Sequence, residues 1–207
     1  MKDLINKIEF LKESNISKIV NDRIQEFKNI DKNSTKELFK ELCFCILTAN
    51  FNAEKCIGIQ NQIGDDFLTL SEENLAKKLS KMGHRFPSCR AKYISYSSKH
   101  NDYLKDVICS TKDQELREWL VENIKGFGYK ESSHFLRNIG FDNLAIIDFH
   151  IIDVLVEYNI IEKPKSLTRK KYLEIENTLR RIAKETNLTL AELDLYLWYM
   201  ETGKILK

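Results

Sequence analysis

Proline is nearly absent from this chain, with only Pro87 and Pro164 in 207 residues. A proline-rich tract or stiff linker is therefore excluded, and no low-complexity stretch or internal repeat takes its place. Glycine is also scarce at seven residues, so the close pair Gly126 and Gly128 stands out. No apolar run is long enough to span a bilayer, and no basic-apolar-small pattern opens the sequence. Both absences point to a soluble intracellular protein. An excess of charge of one sign is missing as well. A net charge of +2 does not by itself announce a nucleic-acid partner, because such a partner requires a basic face rather than a basic average.

Cysteine is present but unpaired. Cys43, Cys45, Cys56, Cys89 and Cys109 are odd in number and lack CxxC spacing, so neither a disulfide frame nor a zinc site is indicated and small buried thiols are expected. The four histidines show no ligand spacing on a single helix. No structural metal is assigned.

What the chain does contain is helical periodicity. Leu4, Ile5, Ile8 and Leu11 form one stripe over 2–13, and Ile19, Ile24 and Phe27 another over 16–29. Ser34 and Glu37 form a capping-box pattern ahead of the apolar Leu38, Phe39, Leu42, Phe44, Ile46 and Leu47, a candidate central helix. Ser71 opens a helix through Leu75 and Leu79 that ends near Gly83, a further helix carries Arg90 and Lys92, and 102–110 and 113–124 give two more. Ile151, Ile152, Val154 and Leu155 make another face. Thr189 and Glu192 cap the last helix, with Leu193, Tyr196, Leu197 and Met200 on its face and Gly203 at its end. The charged run Arg169, Lys170 and Lys171 reads as a solvated helix face. Since no segment alternates over strand length, the fold is expected to be all-α. The whole of 1–207 is expected to form one unit of two packed, discontinuous helical lobes sharing a central cleft.

The organising stretch is 120–150. Trp119, Leu120 and Ile124 lie at helical spacing, Gly126 and Gly128 break the helix, and Phe135, Leu136 and Ile139 resume it, giving helix, hairpin, helix over about 113–140. Glycine is permitted the positive φ of a tight turn. A turn without side chains lets backbone N–H groups approach a phosphate, and the following helix start adds its positive dipole end.

KGFGYK and its apolar flanks resemble the helix-hairpin-helix motif of DNA glycosylases. Lys130 directly after GxG, followed eighteen residues later by Asp148, resembles the catalytic pair of the bifunctional glycosylase/lyases. LCFCILTAN at 42–50, GHRF at 83–86, the LDLYLWYM helix and the closing lysine extend the similarity over nearly the whole chain, to the type-2 8-oxoguanine DNA glycosylases of archaea and some bacteria. The endonuclease III branch usually carries a four-cysteine iron–sulfur loop near its C-terminus, and no cysteine follows Trp198. One departure is local: many relatives have arginine after the aspartate, where this chain has Phe149.

The resemblance implies that Lys130 attacks the sugar C1′ to form a Schiff base. The chemistry agrees, because a neutral amine is a good nucleophile and both a helix start and a drier cleft disfavour an ammonium. Asp148, when ionised, would stabilise the developing positive charge on the sugar and help move protons; an ordinary N-cap role stands beside that one. The resemblance further places Asn50 in the loop that fills the stack left by a flipped nucleotide, with Phe51 as a stacking surface. A helix C-cap and a core phenylalanine are the plainer readings. Arg85, Phe86 and Arg90 fit either a phosphate-contacting loop or the wall of a base pocket, with Phe86 as the pocket candidate; a surface charge cluster around one anchoring phenylalanine is the plainer reading.

8-Oxoguanine carries a proton on N7 where guanine has a lone pair, so discrimination requires an acceptor there. By resemblance Lys207 supplies it through its terminal carboxylate, and Trp198 stacks on the base opposite Phe86; a frayed tail and a packed indole are the alternatives. The expected partner is double-stranded DNA containing 8-oxoguanine or an abasic site, acted on by a monomer away from any membrane. No cofactor is expected, although a monovalent cation on the hairpin backbone is compatible with the motif. The rival functions are a bifunctional glycosylase for oxidised pyrimidines and a non-catalytic DNA-binding helix-hairpin-helix module.

Overall fold

The computed structural model describes residues 1–207 and contains helices without strands. In chain order these are α1 (Lys2–Lys12), α2 (Ile16–Lys28), α3 (Thr35–Thr48), α4 (Ala53–Ile63), α5 (Glu72–Lys81), α6 (Pro87–Ser97), α7 (Asn101–Ser110), α8 (Asp113–Asn123), α9 (Tyr129–Asn138), α10 (Phe149–Glu157), α11 (Arg169–Glu185) and α12 (Leu190–Thr202). Short 3-10 segments at Gly64–Leu68 and Ser98–His100 lie ahead of α5 and α7. No helix is long and apolar enough to cross a membrane. The chain divides into two compact units, one from 30–139 and one from 1–29 with 140–207.

The 30–139 unit is built on α3, which packs against α4, α6, α7 and α9. A helix apolar on nearly every side must be buried on nearly every side, and Leu38 through Leu47 are buried except for Lys40. Ser34 Oγ accepts the Glu37 N–H at 3.3 Å and starts the helix, an arrangement worth about 1 kcal/mol. Glu41, buried in this core, is satisfied at both oxygens: Gln60 Nε2 donates at 3.1 Å and Asn138 Nδ2 at 3.2 Å. An unpaired carboxylate there would be costly, so the two amides fix α4 and α9 against α3.

The other unit is built on α12, which packs against α1, α2, α10 and α11. Leu11, Val20, Ile24 and Phe27 of the first two helices meet Ala191, Leu195 and Tyr196. Thr189 and Glu192 close both halves of the capping box at the start of α12, and Gly203 ends the helix in the left-handed conformation. Within this unit α11 holds the chain that leads to Asp148. Tyr172 Oη donates to the Ala145 carbonyl at 2.7 Å and accepts the Ile147 N–H at 3.2 Å, while Glu176 Oε2 accepts the Ala145 N–H at 3.2 Å. These bonds satisfy backbone groups of the buried, non-helical segment 144–147, which no strand or helix partner serves.

Two expectations change. Cys43, Cys45 and Cys56 are buried thiols, but Cys89 and Cys109 are exposed. Gly128 does not adopt positive φ: it is extended at φ −113°, and only Gly126, at φ +90°, is left-handed in the hairpin.

Candidate active site

The hairpin between α8 and α9 shows why the two glycines are not equivalent. At Gly126 a Cβ would run into the ring of Tyr93 on α6, so both the positive φ and the close approach require glycine. Gly128 instead serves as the N-cap of α9, and its N–H donates to Glu131 Oε2 at 3.2 Å. Lys130 therefore stands second in α9, half-buried, with its first turn capped by another residue's carboxylate. α8 braces the same turn. Arg117, 1% exposed, donates to Ser133 Oγ at 3.3 Å and lies 4.9 Å from the Tyr129 ring centroid, and the Tyr129 hydroxyl donates to Glu118. The Lys130 ammonium makes no salt bridge within the protein. It lies close enough to Cys56 for its charge, with that of Arg90, to oppose the burial that pushes the thiol up to about 12.

A second group of predicted residues gathers at the C-terminal end of α3 and the loop ahead of α6. Asn50 is exposed and left-handed at φ +58°, a conformation asparagine tolerates better than most residues. Phe51 packs against His84, with ring centroids 4.3 Å apart and the planes tilted by 42°. Phe86 is 36% exposed and lies under two guanidinium groups, with Arg85 at 5.0 Å and Arg90 at 5.6 Å from its ring centroid. The two arginines differ. Arg85 is exposed, whereas Arg90 is buried and donates to the Ala49 carbonyl. Arg90 thus supports the loop from beneath, a change from the phosphate-contacting reading.

The remaining predicted residues belong to the α12 unit. Asp148 is the N-cap of α10, its Oδ1 accepting the Ile151 N–H at 3.1 Å. Beyond it, Phe149 is 65% exposed, and the His150 ring meets Trp198 edge-on at 4.5 Å. Trp198 Nε1 is buried and has no acceptor in the protein. His150 Nδ1 lies 3.8 Å from Glu201 Oε1. Lys207, partly buried, lies four residues past Gly203. No group of three His, Cys, Asp or Glu side chains converges anywhere in the chain in a way that could hold a metal ion.

A family model described as 8-oxoguanine DNA glycosylase matches residues 20–188. The chain belongs to the 8-oxoguanine DNA glycosylase family. Among its relatives, the 8-oxoguanine DNA glycosylase/AP lyase of Methanocaldococcus jannaschii is 57% identical over 99% of both chains. The enzyme of the same name from Korarchaeum cryptofilum is 54% identical over 99% of this chain and 98% of its own. The crystal structure of the M. jannaschii glycosylase/lyase in complex with a 15mer DNA containing 8-oxoguanine superposes with a TM-score of 0.95, at 56% identity and 99% coverage of each chain. That of the Thermotoga maritima 8-oxoguanine DNA glycosylase gives 0.93 at 40% identity, covering 100% of this chain and 99% of that one.

In this family member, several site-side residues escaped sequence reasoning. His84 was visible only as part of GHRF, with no role of its own. Its burial and the nearby Arg90 lower its pKa, while its bond to the Leu47 carbonyl acts in the opposite direction. Arg117 carries no signal of its own in the sequence, and its burial against Tyr129 separates it from the other charges of α8. His134, one turn beyond Lys130 and packed edge-on against Phe44 at 5.7 Å, carried a usable signal, since i to i+4 spacing places both residues on one face of α9.

Proposed function

We propose that this protein excises 8-oxoguanine from duplex DNA with Lys130 as nucleophile and cleaves the strand at the resulting abasic site. The enzyme class is N-glycosylase/DNA lyase. In the proposed reaction the amine lone pair forms a bond to C1′ as the C1′–N9 bond breaks. The leaving base keeps that electron pair and takes up a proton. Loss of the amine proton and opening of the sugar ring give the Schiff base. Removal of a C2′ proton then expels the 3′ phosphate by β-elimination, and water releases Lys130.

The observation that carries this reading is the setting of Lys130: a half-buried lysine at a helix start behind a glycine turn, with no carboxylate holding its ammonium. An ammonium without such a partner leaves the amine available to a substrate. Asp148 is the proposed electrostatic partner of the positively charged sugar. Its capping bond uses Oδ1, leaving Oδ2 for the substrate. Trp198 and Phe86 are the proposed stacking surfaces for the expelled base and Lys207 the group that reads N7; Asn50 and Phe51 occupy the vacated stack. Arg85, Gly126 and Gly128 belong to the surface proposed to meet the DNA backbone, and the hairpin carbonyls are the proposed seat for a monovalent cation. No other cofactor enters the scheme, which a monomer in the cytoplasm or nucleoid can carry out.

The test is borohydride trapping on a duplex with a single 8-oxoguanine, beside Lys130→Gln and an undamaged duplex. A covalent adduct with wild type on damaged DNA alone is expected. DNA binding without an adduct, on either the lesion or a ready-made abasic site, would leave a non-catalytic binding module instead.

A further inference from the structure

His84 holds two loops at once. Its Nε2 lies 3.1 Å from the Leu47 carbonyl in the last turn of α3, and its Nδ1 lies 3.1 Å from the Phe86 amide nitrogen. A carbonyl only accepts and an amide N–H only donates. Both bonds therefore exist together in one state alone, the neutral ring protonated on Nε2. The ring also packs against Phe51, tilted by 42°. Arg90 adds a parallel tie, donating to the Ala49 carbonyl while its guanidinium lies against Phe86. Exposed, left-handed Asn50 is thus gripped on both sides, by Arg90 at residue 49 and by His84 at residue 51, and both grips also reach residue 86.

We propose that His84, braced by Arg90, is a positioning residue that couples Asn50 to Phe86, so that the side chain filling the vacated stack and the ring receiving the expelled base hold a fixed register. The inference rests on the roles proposed above for Asn50 and Phe86. It predicts a defect in base expulsion. An abasic site has no base to unstack, so the strand-cleavage step on that substrate depends much less on the register.

A double-mutant cycle in the full-length chain tests this, reading single-turnover excision of 8-oxoguanine and cleavage of a ready-made abasic site. His84→Phe keeps a ring for Phe51 and removes both hydrogen bonds. It is expected to slow excision about tenfold in the wild-type background and less than about twofold further in Asn50→Ala, since a residue that acts through another is not additive with it. Cleavage of the abasic site should fall clearly less than excision does. His84→Gln, which keeps a donor for Leu47, and His84→Asn, which keeps an acceptor for the Phe86 amide, should each restore part of the loss. If His84→Phe does not fold, His84→Gln goes through the same cycle. Additive losses, or equal slowing of the two reactions, would overturn the coupling and reduce His84 to packing. If Asn50→Ala alone leaves excision unchanged, the role of Asn50 falls and the coupling with it.

Discussion

The two residues proposed for the chemistry stand at two helix starts that are capped in opposite ways. In α9 the cap is made by others: Glu131 reaches back to the Gly128 N–H, α8 braces the turn through Arg117 and Glu118, and Lys130 has no capping duty. In α10 Asp148 is the cap. The arrangement follows from charge. A carboxylate at a helix N-terminus is stabilised by the dipole and the free N–H groups, so one aspartate can serve structure and reaction together. An ammonium gains nothing there, so the free N–H of the cap is taken by a neighbouring carboxylate, Glu131.

Lys130→Gln breaks the comparison most sharply: strand cleavage should fall by roughly 10³-fold or more with no trapped adduct, while the melting free energy moves by less than about 0.5 kcal/mol. At the other start, activity and stability should be separable only by choice of substitution. Asp148→Asn keeps a good N-cap and loses the charge, so excision should drop about 10²- to 10³-fold with little change in stability. Asp148→Ala should lose as much activity and a further ~1 kcal/mol of stability in denaturant melts. The turn ahead of α9 gives the next contrast. Gly126→Ala should cost about 1–3 kcal/mol, because the new methyl enters the Tyr93 ring and the backbone is left-handed. Gly128→Ala, at an extended position, should cost only about 0.5 kcal/mol. Glu131→Ala should cost a similarly small amount, about 0.5–1 kcal/mol, with a slight loss of excision. If its activity instead falls as far as that of Asp148→Asn, Glu131 has a role in the reaction and the two helix starts are alike.

These contrasts also mark how far the sequence could be read. Apolar spacing located α1, α2 and α12 nearly to the residue, and Ser34, Ser71 and Thr189 cap as their side chains require. α4 was not anticipated, because Gly58 interrupts it and its buried face is only Cys56, Ile59, Gln60 and Ile63. The charged start of α11 is solvated as expected, yet the helix continues to Glu185 over a buried face that includes Tyr172, Ile175, Leu179 and Ile182. Within the candidate site, the helix starts that carry Lys130 and Asp148 were legible from the glycine turn and the capping pattern. What was not legible is direction. Arg85 and Arg90 are the same residue type five apart, and only tertiary packing turns one outward and the other beneath Ala49.

One feature of the architecture bears on the order of synthesis. The α12 unit is assembled from both ends of the chain, with the contiguous 30–139 unit inserted between them. The apolar faces of α1 and α2 meet Ala191, Leu195 and Tyr196 of α12, which the ribosome adds more than a hundred and fifty residues later. At about 5–20 residues per second, Val20, Ile24 and Phe27 wait on the order of ten seconds or more for these partners. All of 30–139 emerges in that interval. The nascent chain therefore carries the lysine proposed as nucleophile within a unit whose contacts are all present, while its first two helices are still sticky, and a chaperone acting on this protein would be expected to bind at its N-terminal end.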